Sequence, residues 1–499
     1  MTRNRFLALL AATLLFRFWL AATLPVTGDE AYFIWWGKVP DWGFYDHPPL
    51  IGWWLAALLQ VSEASWWLRL PTILLPSIMA WATARFLAAR GESVAWGAAA
   101  LILLAPLNIW NVLITTDTAL VYCAFFSALA FLRAARDDDG RFYALAGLLL
   151  AGAVLSKYFA ALLGFAYLLH ALIRPGGRKW RGLLLCFALV LPALLLMAWW
   201  NAGHCWANVM FNFVNRNSDA GLSWKIPLLY VVMMLYALTP PLLWQLWRRR
   251  AALVGLWRDA AGRALLLIGG VPLLLFGGLS LVKQIGLHWV LSFLPFVLIL
   301  PAVLGEAAGL RRLVNFFAGF ALVHVLLFVT IAQLPLETWQ RTRLYDGIVL
   351  TVEAPKLLEH LQPYAQDYVF ASDGYSSAVT LGYYARRYFL VFGPGSAHAR
   401  HDDILTDFRT LAGRNILILR KTPPAAEEYA PYFRALTVKT FTVRGATYTM
   451  VLGQDFQYPV YRDTVLARVR EQYYALPAWL PQTGCYFCDR YFSGTACHK

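Results

Sequence analysis

The sequence predicts an α-helical polytopic membrane protein with a small α/β domain toward its C-terminal end, and three observations predict it. The 499 residues are 60% hydrophobic and only 14% charged, with a mean hydropathy of +0.54, a composition foreign to ordinary soluble domains. Apolar runs near the ~20 residues needed to cross a ~30 Å hydrocarbon core recur as far as Gln333 and then stop. After Gln333 charged residues become frequent, and short β-rich runs alternate with helix-like segments.

The pattern predicts about eleven spans: Phe6–Val26, Leu70–Ala89, Val94–Thr115, Thr118–Ala135, Phe142–Leu155, Phe159–Ile173, Leu183–Trp200, Pro227–Trp247, Ala264–Leu281, Leu287–Leu304 and Leu313–Gln333. Positive charge tests this division, because Lys and Arg in short loops accumulate on the cytoplasmic side. Eighteen Lys and Arg residues, from Arg3 to Arg312, fall on alternate loops, against six (Lys38, Arg69, Lys157, Arg216, Lys225 and Lys283) on the others. An odd number of spans with the N-terminus inside puts the loop after the first span, and everything after Gln333, on the outer face. The expected location is therefore a bacterial inner membrane, with the N-terminus cytoplasmic and the C-terminal domain periplasmic. The first run is long and contains Arg17, so it reads as a retained span and not a cleaved signal peptide. Most of the formal charge of +15 is this topogenic Lys and Arg, and no basic, aromatic-interleaved soluble segment accompanies it, which excludes nucleic acid as a partner.

Two domains are expected, residues 1–333 in the membrane and 334–499 outside it. The outer domain carries strand-like runs at Tyr368–Ala371, Tyr388–Phe392, Asn415–Leu419 and Ala446–Leu452, and helix-like ones at Ala354–Leu361 and Ser376–Ala385. Trp35–Leu59 is too polar and too broken by proline to span and fits one or two amphipathic helices lying on the outer surface. Pro48-Pro49 suits the first turn of such a helix, where no N–H is needed. Aromatic pairs at Trp35-Trp36, Trp53-Trp54, Trp66-Trp67 and Trp199-Trp200 cluster at outer span ends, as an interfacial belt or as the lining of a sugar or prenyl groove.

The chemistry-bearing residues gather on the outer face. Asp29 and Glu30 follow directly on the first span, where a low-dielectric neighbour makes ionised carboxylates costly unless something uses them. Capping of Ala31–Gly37 by Asp29 accounts for one of the pair only. Asp117 sits at the outer turn before the fourth span, as a site acid or as that helix's cap. Lys157, at the turn between the fifth and sixth spans, either snorkels or joins Arg69, Lys283 and His288 as cations facing the same compartment, the arrangement a phosphate-bearing substrate requires. Arg17, within the first span, calls for a structural partner. The loop Asn201–Lys225 serves as a mobile flap or as an ordinary connection. Cys485, Cys488 and Cys497 crowd the end of the chain, and in an oxidising compartment a disulfide among them is expected; a three-Cys zinc site with His498 is the alternative.

Three of these motifs occur together: Gly28-Asp29-Glu30 after the first span, His47-Pro48-Pro49-Leu50 in the same outer loop, and Thr116-Asp117 after the third span. With them the chain resembles the GT-C glycosyltransferases of the protein O-mannosyltransferase and aminoarabinose transferase superfamily, through the whole membrane region in order and topology, and after Gln333 in placement more than in sequence. The resemblance implies an inverting transfer of a sugar from a polyprenyl-phosphate donor, lying in the outer leaflet, to an acceptor hydroxyl on a lipid, glycan or protein. It implies Asp29 as the base or acceptor-orienting carboxylate with Glu30 beside it, and Asp117 assisting the acceptor. His47, Lys157, Tyr45, Arg69, Lys283 and His288 are left for the donor's phosphate and lipid. Aminoarabinose transferases carry a Glu-Lys-Pro version of the motif with lysine where His47 stands, which points to the mannosyltransferase-like branch and away from lipid A.

A hydroxyl attack needs one carboxylate to take its proton, worth ~10² to 10⁴ in rate. A phosphate leaving group needs positive charge and no general acid, unlike the two-carboxylate scheme of glycosidases. No cluster of metal ligands adjoins the acidic loop, and participation of a divalent cation stays open. The competing classes are a transporter or lipid flippase, which calls for polar residues at mid-membrane and inverted repeats, and an inactive relative acting as a binding subunit.

Overall fold

A computed structural model describes residues 1–217, 221–305, 307–393, 401–425, 427–481 and 483–492. The chain divides into two compact units. The first comprises Met1–Leu24, Leu58–Leu196 and Asp219–Gln333; the second comprises Pro25–Ala57, Met197–Ser218 and Leu334–Lys499.

The first unit is a bundle of apolar helices. Among the described residues, five helices are long and apolar enough to cross a membrane: Arg3–Thr23, Thr116–Asp137, Gly177–Gly203, Ala260–Leu279 and Ala307–Gln333. A sixth is a pair, Lys225–Leu238 and Pro240–Arg248, bent by 85°. The other predicted spans fall on shorter helices, and proline supplies much of the reason. The run beginning near Val94 breaks into Glu92–Leu104 and Pro106–Trp110, because Ala105, before Pro106, leaves the helical region at ψ 139°. Thr239, before Pro240, does the same at φ 62°, and the run from Leu287 divides into Leu287–Val290, Leu294–Leu298 and Leu300–Val303, the last two each with a proline as their second residue. Glu92–Leu104 lies in the core and is buried continuously from Ala95 to Leu104, its Ala98-Ala99-Ala100 run allowing neighbouring helices to approach closely. Gly177–Gly203 and Ala307–Gln333 turn leucines such as Leu184, Leu195, Leu322 and Leu326 outward, which suits helices in lipid.

Arg17 is fully buried and finds uncharged partners, donating to the Asn108 carbonyl at 3.1 Å and to Ser77 Oγ at 2.6 Å. It thereby ties the first helix to Leu70–Phe86 and to Pro106–Trp110. A second tie runs from Trp110 Nε1 to the Tyr236 hydroxyl (3.1 Å), which meets His324 Nε2 at 2.8 Å. His324 Nδ1 lies 2.8 Å from the Phe320 carbonyl, so Nδ1 carries the proton and Nε2 accepts from the tyrosine.

The second unit is built on a five-stranded mixed sheet of order β2-β1-β3-β5-β4, with β1 Val369–Ser372, β2 Leu390–Val391, β3 Ile416–Arg420, β4 Phe433–Val443 and β5 Ala446–Phe456. β3 runs parallel to β1 and antiparallel to β5. Its sequence Ile-Leu-Ile-Leu is unbroken because both faces are covered: Ile416 and Ile418 pack with Tyr461, Val465 and Phe487, and Leu417 and Leu419 with Val349, Leu357 and Leu381. β4 and β5 form a hairpin whose two loop residues, Arg444 and Gly445, both have positive φ, 50° and 81°, the combination that matches the strands' twist.

The outer loop after the first span and the segment following Met197 fold with this sheet. Gly28–Lys38 is a helix started by a capping box, in which Thr27 Oγ1 accepts from Glu30 N at 3.3 Å and Glu30 Oε2 accepts from Thr27 N at 3.0 Å. The cap is therefore Thr27 and not Asp29, because Asp29 lies one residue inside the helix. The segment after Asn201 is ordered into short turns, Ala207–Val209, Met210–Val214 and Asn215–Asn217, while residues 218–220 of the predicted loop lie outside the described residues. It begins with two consecutive left-handed residues, Cys205 (φ 56°) and Trp206 (φ 51°), an unfavourable backbone for non-glycine residues. Three restraints hold it: Trp206 N donates to the Asn201 carbonyl at 2.9 Å, Cys205 N donates to the Gly484 carbonyl at 3.2 Å, and Cys205 is disulfide-bonded to Cys485, 280 residues away.

The Cys205–Cys485 bridge was not anticipated from the sequence, and the expected disulfide among Cys485, Cys488 and Cys497 falls partly on Cys497, outside the described residues. Cys488 is also disulfide-bonded, so neither thiol is left to bind zinc. Cys497 and His498 lie outside the described residues.

Candidate functional site

In the second unit, the acidic helix start and the His-Pro-Pro turn are held by one network. Asp29 is exposed, and its Oδ1 accepts from the Tyr375 hydroxyl at 2.9 Å. Glu30 is 1% exposed and belongs to the capping box, so its carboxylate has a structural duty. Asp46, buried at 2%, accepts from the Tyr32 hydroxyl at 3.1 Å, and its other oxygen lies 3.3 Å from His47 Nδ1. That last contact is an ion pair when His47 is protonated, though it is too poorly aligned for a hydrogen bond. His47 keeps 16% of its side chain accessible, with its ring edge-on to Phe33.

The turn carrying Asp46 and His47 is fixed from behind. Asn208 Nδ2 donates to the Phe44 carbonyl and Asn212 Nδ2 to the Asp46 carbonyl, both at 2.9 Å. Tyr45 N lies 3.4 Å from His401 Nδ1, and His401 N donates to the Tyr32 hydroxyl at 2.9 Å. Burial pushes the His401 imidazole down to about 4, against the opposing pull of Asp46 and Asp41, so at neutral pH its Nδ1 accepts the Tyr45 N–H. Tyr45 itself is fully buried against Phe211 and Tyr474, and burial, with Asp403 nearby, raises its hydroxyl well above the usual tyrosine range. It anchors the turn and is not a surface a ligand reaches.

In the first unit, Asp117 stands in the first turn of Thr116–Asp137, where the helix dipole favours a negative charge. Lys157 Nζ donates to both its oxygens, at 2.9 and 3.0 Å, with both residues at least nine-tenths buried. Lys157 therefore does not snorkel. Its ammonium also lies 5.4 Å from the Phe159 ring, and Phe159 packs on Trp289 at 4.5 Å, which brings the 3₁₀ turn Leu287–Val290, with exposed His288, beside the pair. A small pocket lies here, polar at Asn108, Asn111, Asp117 and Thr118 and apolar at Leu75, Met79 and Leu294. Lys283 stands on the turn that follows Ala260–Leu279. Arg69 is fully buried and donates to the carbonyls of Ala21 (2.6 Å) and Leu24 (2.8 Å), capping the C-terminal end of the first helix as a cation there should.

Three comparisons bear on this arrangement. The family model of dolichyl-phosphate-mannose-protein mannosyltransferase matches residues 46–200, from Asp46 through Asp117 and Lys157. The lipid A galacturonosyltransferase RgtD of Rhizobium johnstonii is 27% identical over 183 residues, 35% of this chain and 38% of that protein, so the match spans little more than a third of the relative. Two crystal structures of ArnT from Cupriavidus metallidurans, one bound to undecaprenyl phosphate and one in the apo state, match with TM-scores of 0.61 and 0.59 at 12% and 14% identity, over 90% of this chain and 98% of theirs. The chain has the fold of the ArnT structures.

The arrangement also contains residues that no local sequence signal marks. Asp46 stands directly before the His47-Pro48-Pro49-Leu50 motif and was not singled out. Tyr32, Tyr375, Asn208, Asn212 and His401 gave no local signal, because their partners are distant in sequence. Among the described residues no group of three or more His, Cys, Asp or Glu is placed to hold a metal ion.

Proposed function

We propose that this protein is a GT-C inverting glycosyltransferase that moves a sugar from a polyprenyl-phosphate donor to an acceptor hydroxyl at the outer face of a bacterial inner membrane. The observation that carries this reading is the exposed Asp29 carboxylate, fixed at a capped helix start by Tyr375 in the same unit as the Asp46–His47 pair. Asp29 takes the proton of the acceptor hydroxyl as that oxygen attacks the anomeric carbon. The bond to the phosphate oxygen breaks, and the polyprenyl phosphate leaves as an anion that needs positive charge and no proton. His47, accessible and backed by a buried carboxylate, suits the stabilisation of that anion.

Since Lys157 is already neutralised by Asp117, we assign it to holding that acid in place ahead of binding phosphate. Undecaprenyl phosphate in the ArnT crystal structure supports a long-chain polyprenyl donor. The lipid A substrate of RgtD keeps lipid A among the acceptors, despite histidine at the motif's lysine position. A disulfide between Cys205 and Cys485 fits an oxidising compartment for the second unit, and hence a periplasmic C-terminal domain with the N-terminus inside. Incubating the purified protein in lipid nanodiscs with radiolabelled undecaprenyl-phosphate sugars, with lipid A and with peptide acceptors, tests the reading. Consumption of one donor with release of undecaprenyl phosphate is expected, and consumption of none removes the assignment.

A further inference from the structure

We infer that Tyr375 is a positioning residue for Asp29, so that the chain beyond Gln333 supplies part of the transfer site; the inference rests on the reading of Asp29 proposed above. Tyr375 opens the helix Tyr375–Ala385, and its hydroxyl meets Asp29 Oδ1 at 2.9 Å across 346 residues of sequence.

Three features hold that contact. The Tyr375 ring packs edge-on against Tyr32, with centroids 5.5 Å apart, and Tyr32 is itself fixed between Asp46 and the His401 N–H. Gly28 lets the start of one helix lie against the start of the other, since a Cβ there would collide with Ser376 Oγ. Further along, a Cβ on Gly382 would stand 3.3 Å from Trp35 Nε1, so the two helices stay close. A carboxylate at an exposed helix start ordinarily samples several rotamers. A hydroxyl on one oxygen selects one of them and leaves Oδ2, which has no protein donor among the described residues, to receive the acceptor's proton. That is the pre-set geometry which general-base catalysis rewards.

Replacing Tyr375 by Phe removes the hydroxyl and keeps the ring. In nanodiscs, with the undecaprenyl-phosphate sugar that the panel above identifies, Tyr375→Phe is expected to lower kcat about tenfold or more, the scale of a hydrogen bond to a charged group. The KM for donor, the affinity for undecaprenyl phosphate alone and the unfolding temperature stay at wild-type values. In an Asp29→Asn background the same change has no further effect on residual turnover. Unchanged kcat in Tyr375→Phe, or an equal loss in both backgrounds, overturns the inference. The two levels fail separately: full turnover by Asp29→Asn removes the assignment of Asp29, whereas an inactive Asp29→Asn beside a fully active Tyr375→Phe removes only the role of Tyr375.

Discussion

Lys157 closes on Asp117 with two hydrogen bonds, of 2.9 and 3.0 Å, deep in the first unit. Breaking a buried pair by removing one member leaves the other charge uncompensated, at about 3–5 kcal/mol. Asp117→Asn and Lys157→Met should each lower the unfolding temperature of the detergent-solubilised protein. The double variant, with no charge left to strand, should regain most of the loss. Thermal unfolding of the three proteins checks this, and a double variant no more stable than either single one would show that the pair does not hold the helices. If Asp117 also serves the reaction, transfer stays absent in the stabilised double variant.

Asp29→Asn keeps the shape of the side chain and the helix start, because the cap belongs to Thr27 and Glu30. The variant should insert and unfold like the wild type and bind undecaprenyl phosphate with the same affinity, while turnover falls by ~10² or more through loss of the base. Glu30→Gln should behave differently, lowering stability by about 1 kcal/mol through the weakened capping box, with turnover reduced in proportion to folded protein. Measuring transfer and unfolding on both variants separates a catalytic carboxylate from a structural one.

These two acids show how far the sequence was legible. Hydropathy located the apolar helices of the first unit, since burial in lipid is written in composition alone, but it missed the apolar helix Leu50–Leu59 and overestimated helix length where a proline such as Pro106 or Pro240 breaks the backbone ladder inside an apolar stretch. The local motif drew attention to Asp29 and Glu30 together; only the capping geometry divides their roles, which depend on which residue sits first in the helix. Tyr375 and Asn212 could not be found, because nothing in a tyrosine or an asparagine announces a partner 346 or 166 residues away. The Cys205–Cys485 bridge was hidden for a similar reason: Cys488 and Cys497 were nearer in sequence, and proximity along the chain is a poor guide once two segments fold together.

That bridge fastens the segment whose Asn208 and Asn212 hold the turn of Asp46 and His47. Removing a native disulfide typically costs about 2–5 kcal/mol, and here it also releases two left-handed residues from one of their restraints. Cys205→Ser with Cys485→Ser should lower the unfolding temperature. It should also reduce affinity for the donor more than a distant destabilising change of equal size, because the His47 turn loosens. A variant that unfolds earlier yet binds donor normally at low temperature would separate the bridge from the turn.

His401 gives the second unit a dependence on pH whose sign follows from its surroundings. Burial lowers its folded-state value to about 4, below the ordinary 6.5. Above pH 6.5 the imidazole is neutral in folded and unfolded chains alike, and its contribution to stability is intact. As pH falls from 6.5 toward 4 the unfolded chain takes up the proton first, so folding loses stability progressively, on the order of 3 kcal/mol over the whole window. A protonated His401 also loses the Nδ1 acceptor that receives the Tyr45 N–H, which loosens the turn next to His47. Thermal unfolding at pH 7.5 and pH 5.0 should show a drop in the wild type that shrinks in His401→Asn, whose amide oxygen still accepts from Tyr45 and carries no titrating group. Equal drops in the two proteins would place the acid sensitivity elsewhere.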